Sequence, residues 1–213
     1  MRYYFDSRSG SCRRVSAVAK HLGIDVEWVS VDLLAQESHT PEMLKLNPNG
    51  KLPVLVDGDL VLWEAAAIMI YLCDKAGDTT LWPEGEARHH VTKWMFWAAE
   101  HFRQSAPVYF EENFVTKLTG AAPDTTRVAY AEAELRRFAA ILDAHLAENQ
   151  FAAGDAPTLA DFDLAAPLSQ MPRSFVPYDD YPNIMDWYLR LGAAIPAWAE
   201  TGAELDRRLN QLV

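Results

Sequence analysis

Cysteine is scarce in this chain. Cys12 and Cys73 are the two in 213 residues, too few for a disulfide framework, and in a reducing compartment both stay thiols. Long apolar runs are missing as well: none approaches the roughly 20 residues that span a bilayer, so no membrane association is expected. The first residues read as a strand and carry no basic segment leading into an apolar one, so no secretory signal is expected and the cytoplasm is the expected location. Positive charge is also in short supply. With 19 Lys and Arg against 30 Asp and Glu the net charge is −11, and without a basic face to release counterions nucleic acid is excluded as a partner. His101 and the pair His89-His90 have no acid or cysteine at ligand spacing, so no metal is expected. No internal repeat or low-complexity tract is visible.

What is present begins with a 50% hydrophobic composition, enough for a substantial core. The most informative stretch runs from Asn47 to Ala65. Asn47-Pro48-Asn49-Gly50 is a concentrated turn signal, and Asp57-Gly58 separates two apolar runs by two residues, the sequence form of a tight hairpin. Pro53 donates no ladder hydrogen bond and should open the first strand or lie on an edge. The hairpin runs directly into Glu64 and the helically spaced Ala67, Ile68, Tyr71 and Leu72. An exposed Leu52 backbone, free N–H groups at a helix start and an acid beside them suit a zwitterionic peptide. The same residues also fit an ordinary trans strand opener and an acid that complements a helix dipole.

Gly50-Lys51-Leu52-Pro53 followed by a hairpin and Trp63-Glu64-Ala65-Ala66-Ala67-Ile68 resembles the glutathione-binding domain of cytosolic glutathione transferases. Two more motifs agree, in the expected order. Ser9-Gly10-Ser11-Cys12-Arg13-Arg14-Val15 resembles the family's Ser-Pro-Asn-Cys-Arg-Lys-Val opening, and Asp155-Ala156-Pro157-Thr158-Leu159-Ala160-Asp161 resembles its second-domain capping motif. The resemblance implies a homodimer with a role in detoxification, glutathione as co-substrate without a metal, and a hydrophobic electrophile taken in the interdomain cleft. It also implies a cis Leu52-Pro53 bond. In one respect the chain departs: the family's Glu-Ser pair, whose hydroxyl meets the γ-glutamyl carboxylate, is here Glu64-Ala65.

Up to residue 75 the pattern reads strand 2–6, helix 12–22, strand 26–31, loop, strands 54–57 and 60–63, helix 64–75. A crossover helix makes the first two strands parallel and the hairpin adds antiparallel pairing, so the expected fold is an α/β thioredoxin-like domain with a mixed βαβ-ββα sheet. Turn residues from Ala76 to Pro83 mark a linker. Beyond it the signals are helical, at 87–117, 124–148, 158–170, 181–191 and 193–212, with Pro167, Pro172 and Pro182 limiting their extents. The expected division is 1–76 glutathione-binding, 77–86 linker and 87–213 an all-helical bundle, with Thr158 and Asp161 as a structural capping box.

Glutathione chemistry needs a thiolate at neutral pH, and a hydroxyl beside a helix start can provide it. Ser9 stands where the family's serine-type members place theirs; as plain structure it reads as an N-cap, a role that also fits Ser11. Cys12 competes: near a helix N-terminus beside Arg13 and Arg14 its pKa should be depressed, which suits mixed-disulfide chemistry and a thiol transferase or reductase. The remaining alternative is a binding or regulatory protein that has kept the fold. Residues 1–80 carry −3 and 81–213 carry −8. The cations for anionic glutathione are therefore sought among Arg13, Arg14, His39 and Lys51. Leu52, Pro53, Glu64 and Ala65 complete the glutathione contacts. Trp97 and His101, at helical spacing with Trp94, are candidates for the electrophile wall; such stripes also form cores and dimer contacts.

Overall fold

The computed structural model describes residues 1–212; Val213 lies outside them. In chain order the elements are β1 Arg2–Phe5, α1 Gly10–His21, β2 Glu27–Ser30, α2 Pro41–Leu46, β3 Val54–Asp57, β4 Leu60–Trp63 and α3 Ala65–Ala76. Then follow α4 Gly85–Trp97, α5 Ser105–Phe110, α6 Thr116–Thr119, α7 Thr125–Leu146, α8 Leu159–Ala165, α9 Met171–Ser174, α10 Pro182–Ala194 and α11 Pro196–Asn210. They fall into two compact units, one of residues 1–79 with 196–211, the other of residues 80–195.

The first unit is a four-stranded sheet in the order β2-β1-β3-β4. β1 pairs parallel with β2 and antiparallel with β3, and β3 with β4, the mixed sheet expected of a βαβ unit joined to a hairpin. Val54, Leu55 and Val56 of the inner strand β3 are all buried, because both faces of the sheet are covered. One face carries Tyr3 and Phe5, their rings stacked at 5.4 Å. A cluster of Cys12, Val31, Met43, Leu52, Val54 and Val56 forms a second core. The hairpin loop is Gly58-Asp59, one residue beyond Asp57-Gly58, since Asp57 pairs with Leu60. Gly58 has φ +60, which a residue with a Cβ adopts only at a cost.

The region expected to be loop holds α2. Thr40 caps it through its hydroxyl, which accepts the Met43 N–H, and Pro41 occupies the first turn, where its missing N–H costs nothing. The first unit also takes in α11, which packs on α1. Arg13 is the joint. Its Nη2 donates to the Trp198 carbonyl at 2.8 Å, its guanidinium lies 3.7 Å over the Trp198 ring, and Gly202 offers it bare backbone. A Cβ at Gly202 would stand 2.5 Å from Nη2, so any larger residue there would displace the guanidinium.

In the second unit the helix expected over 87–117 is interrupted. α4 runs into a π-helical turn at Ala98–Phe102, breaks at Arg103 and Gln104, and resumes as α5, so that Pro107 falls in a first turn, where no N–H is required of it. A second π-helical segment, Glu111–Val115, precedes α6. The helix expected over 158–170 shortens to α8 and continues as a 3₁₀ turn, Ala166–Gln170, through Pro167. The capping box of Thr158 and Asp161 forms at the start of α8. Asp161 is wholly buried, and its carboxylate accepts from the Ala152 and Thr158 N–H groups, the Thr158 hydroxyl and the Trp187 indole.

Asp161→Ala leaves those four donors unpaired in the core. The expected loss of folding stability is about 3 kcal/mol or more, read from the urea midpoint of wild type and variant.

Candidate active site

The register of the sheet gathers the candidate residues of the first unit at one end. Tyr4 pairs with Val54 and Val54 with Trp63. One antiparallel step further sets Phe5 against Pro53 and Pro53 against Glu64. The turn after β1, the start of β3 and the end of β4 therefore converge.

Ser9 is the N-cap of α1, in extended geometry, and its Oγ accepts the Cys12 N–H at 3.3 Å. Its own N–H donates to the Asp6 carbonyl at 3.0 Å. The buried Asp6 carboxylate accepts from the Arg8 N–H at 2.9 Å, the Arg8 guanidinium at 2.6 Å and the Leu33 N–H at 3.1 Å. Burial alone would push Asp6 up, but the hydrogen bonds from Arg8 and Leu33 outweigh it and hold the carboxyl below the ordinary range. Arg8 also reaches Asp32, which ties the loops after β1 and β2 together.

Leu52 precedes Pro53 through a cis peptide bond. Neither its N–H nor its C=O bonds to another described residue. The preceding turn is built by Asn47, whose side chain accepts from the Asn49 N–H at 3.1 Å and donates to the Lys51 carbonyl at 2.7 Å. Gly50 has φ +62, and a Cβ there would come within 2.6 Å of His39 Nε2, so the turn and the imidazole touch. His39 and Lys51 are both exposed beside it.

Glu64 has φ +71 and ψ 116, a region that non-glycine residues occupy at a cost of roughly 1–3 kcal/mol. It caps α3 with no side-chain bond, and its carboxylate is exposed with no partner among the described residues. The first N–H groups of α3, from Ala65 onward, have no partner within the helix.

The glutathione S-transferase N-terminal domain matches residues 2–74, and the C-terminal domain of the same family matches residues 105–193. The chain belongs to the glutathione S-transferase family. It is 34% identical over 197 residues to glutathione S-transferase 3 of Zea mays, an alignment covering 90% of this chain and 88% of that protein. Among solved structures, human glutathione transferase theta-2 in complex with glutathione and an unknown ligand superposes with a TM-score of 0.90 at 27% identity, over 99% of this chain and 89% of that one. A delta-class glutathione transferase of Nilaparvata lugens gives 0.82 at 30% identity, over 100% and 99%.

Within this transferase fold two cation expectations fail. Arg13 is taken up by α11, and Arg14 is buried, its Nη2 donating to the Ser11 hydroxyl at 3.3 Å. The depressed pKa expected for Cys12 is also corrected. The thiol is fully buried against the cluster that includes Leu52, and burial pushes it up to about 11, past the help of the helix start. A thiol so protonated and enclosed is a poor nucleophile. Cys73 is buried too, and burial pushes it up to about 12.

Trp97 and His101 belong to the second unit. Trp97 stacks on Phe102 at 5.7 Å and meets Phe138 edge-on, while the exposed His101 stacks on Phe138 at 4.9 Å. Four contributors escaped the reading of the sequence: Asp6, Arg8, Asn47 and the close approach of Gly50 to His39. Asn47-Pro48-Asn49 did carry a signal, since Asx side chains close such turns.

Asp6→Asn tests the turn that holds Ser9. A carboxyl whose folded pKa is depressed contributes stability above its ordinary value of 3.8 and loses that contribution as the pH falls below it. The variant should be less stable at pH 7, and below pH 3.8 the gap should close, as thermal melts across that range will show. Gly50→Ala should cost about 1–2 kcal/mol, from positive φ and from the displaced His39, and shift the His39 ring resonances in an NMR spectrum.

Proposed function

We propose that this glutathione transferase activates the glutathione thiol through Ser9 and delivers the thiolate to a hydrophobic electrophile, forming the carbon–sulfur bond as the leaving group departs. One observation carries the reading. The Ser9 hydroxyl accepts the Cys12 N–H, which fixes it at the start of α1 and leaves its proton to donate. An ordinary thiol titrates near pH 8.5, and lowering it by two units requires about 2.7 kcal/mol. A hydrogen bond to the thiolate supplies about 1.5–3 kcal/mol and the helix start about 0.3–1. The two together suffice.

Glutathione is the co-substrate. In this reading its cysteinyl backbone pairs with the Leu52 N–H and C=O ahead of Pro53, and its γ-glutamyl ammonium meets Glu64. The γ-glutamyl carboxylate takes the N–H groups at the start of α3, because Ala65 offers no hydroxyl. His39 and Lys51 face the glycyl carboxylate. Trp97 and His101 contact the electrophile. Residues 1–76 supply the glutathione site, 77–86 the linker and 87–213 the helical part, apart from α11. The protein is a cytoplasmic homodimer, a state that sedimentation tests directly. None of the helices in the described residues is long and apolar enough to cross a membrane.

Ser9→Ala should raise the apparent pKa of bound glutathione by one to two units, about 1.4–2.7 kcal/mol, and slow conjugation of an aryl halide near neutral pH. Cys12→Ala should leave that pKa in place. Thiolate absorbance against pH decides the matter: an unshifted curve in Ser9→Ala removes the serine assignment. Glu64→Gln keeps the shape and deletes the charge, so calorimetry should find glutathione bound about 1.5–3 kcal/mol more weakly.

A further inference from the structure

The turn that ends in Ser9 is held by a single guanidinium. The Ser9 N–H closes the turn on the Asp6 carbonyl at 3.0 Å, and Arg8 is its third residue. The Arg8 side chain folds back across it, giving Nε to Asp6 Oδ1 at 2.9 Å and Nη2 to Asp6 Oδ2 at 2.6 Å, a fork that fixes direction as well as distance. The same Nη2 reaches Asp32 Oδ1 at 2.5 Å, and that oxygen also accepts the Leu34 and Ala35 N–H groups at 2.8 and 3.1 Å. Asp6 Oδ2 accepts the Leu33 N–H from the same loop. Turn and loop are therefore closed into one ring of bonds with Arg8 at its centre. The side chain is 11% exposed and its fork is taken up by the two acids, which leaves little of it for a substrate.

The effect of such a clamp on the chemistry follows from charge and from position, and the two pull in opposite directions. One guanidinium against two carboxylates leaves a net negative charge, whose field opposes a thiolate forming at Ser9. Position favours the thiolate. A hydroxyl donates well only within a narrow range of angle, and Ser9, the next residue in the chain, takes its place from this turn and from the Cys12 N–H. Resting on the Ser9 reading above, we infer that Arg8 is a positioning residue of the transfer: its clamp on Asp6 and Asp32 holds the Ser9 hydroxyl where the thiolate forms, and so governs how much thiolate the site carries at neutral pH.

The test is the thiolate absorbance of bound glutathione against pH, read on the full chain with Arg8→Lys, with Asp32→Ala, with Ser9→Ala, and with Arg8→Lys and Ser9→Ala combined. Lysine keeps the charge and loses the fork, so Arg8→Lys should raise the apparent pKa of the bound thiol by about half a unit to one unit, roughly three- to tenfold less thiolate at low pH. Asp32→Ala separates the two effects by sign: deleting a negative charge alone would lower that pKa, whereas loosening the clamp should raise it. The combined variant should match Ser9→Ala, because Arg8 acts through the hydroxyl. Conjugation by Arg8→Lys should fall by the same roughly three- to tenfold at about pH 6.5 and converge on wild type at about pH 9.5, where glutathione ionises unaided. A merely loosened fold would lose rate at every pH alike. An unmoved pKa in Arg8→Lys, or a lowered one in Asp32→Ala, overturns this inference while a shifted Ser9→Ala curve keeps the serine reading; an unshifted Ser9→Ala curve removes both.

Discussion

The buried carboxylate of Asp6 is the constraint on which the site rests. A charge taken out of water must be met by hydrogen bonds, and Asp6 is met by the backbone and guanidinium of Arg8 and by the Leu33 N–H. Those bonds fix the turn after β1 against the loop after β2. The same residue's carbonyl receives the Ser9 N–H, so the direction of the serine hydroxyl follows from a carboxylate three residues earlier. The sheet does the rest, because its register brings Pro53 and Glu64 to the same end.

Division of labour along α1 follows from its amphipathic pattern. Its first turn presents Ser9 to the proposed thiol site and sends Cys12 into the core. Further along, Arg13, Ser16 and Lys20 line a cleft whose other wall is Thr201, Glu204 and Arg208 of α11. The helix thus serves two surfaces at once, and Arg13, which looked like a ligand cation, joins two helices instead.

The legible parts of the sequence were those governed by local rules. The hairpin, the strand that runs into a helix at Glu64, the N-cap serine and the capping box at Thr158 each depend on a few neighbouring residues. What escaped depended on distant ones. Neither the burial of Cys12 nor the capture of Arg13 by Trp198 can be read from the helix that carries them, because the partners lie up to 185 positions away. The helix α2 was missed for a different reason: Thr40-Pro41-Glu42 is a clear helix start, but six residues are too short for a periodicity to register. The break at Arg103 and Gln104 falls one turn before Pro107, whose ring excludes a helical bond to the Arg103 carbonyl.

The packing of α11 on α1 has a consequence for synthesis. Residues 1–79 emerge from the ribosome with the α1 face still bare, and the helix that covers it is made only after residues 80–195. At ordinary elongation rates that interval is on the order of ten seconds. During it the buried Arg13 lacks the Trp198 ring and carbonyl that hold it in the finished fold. The second unit, contiguous in sequence, can fold before the first is complete.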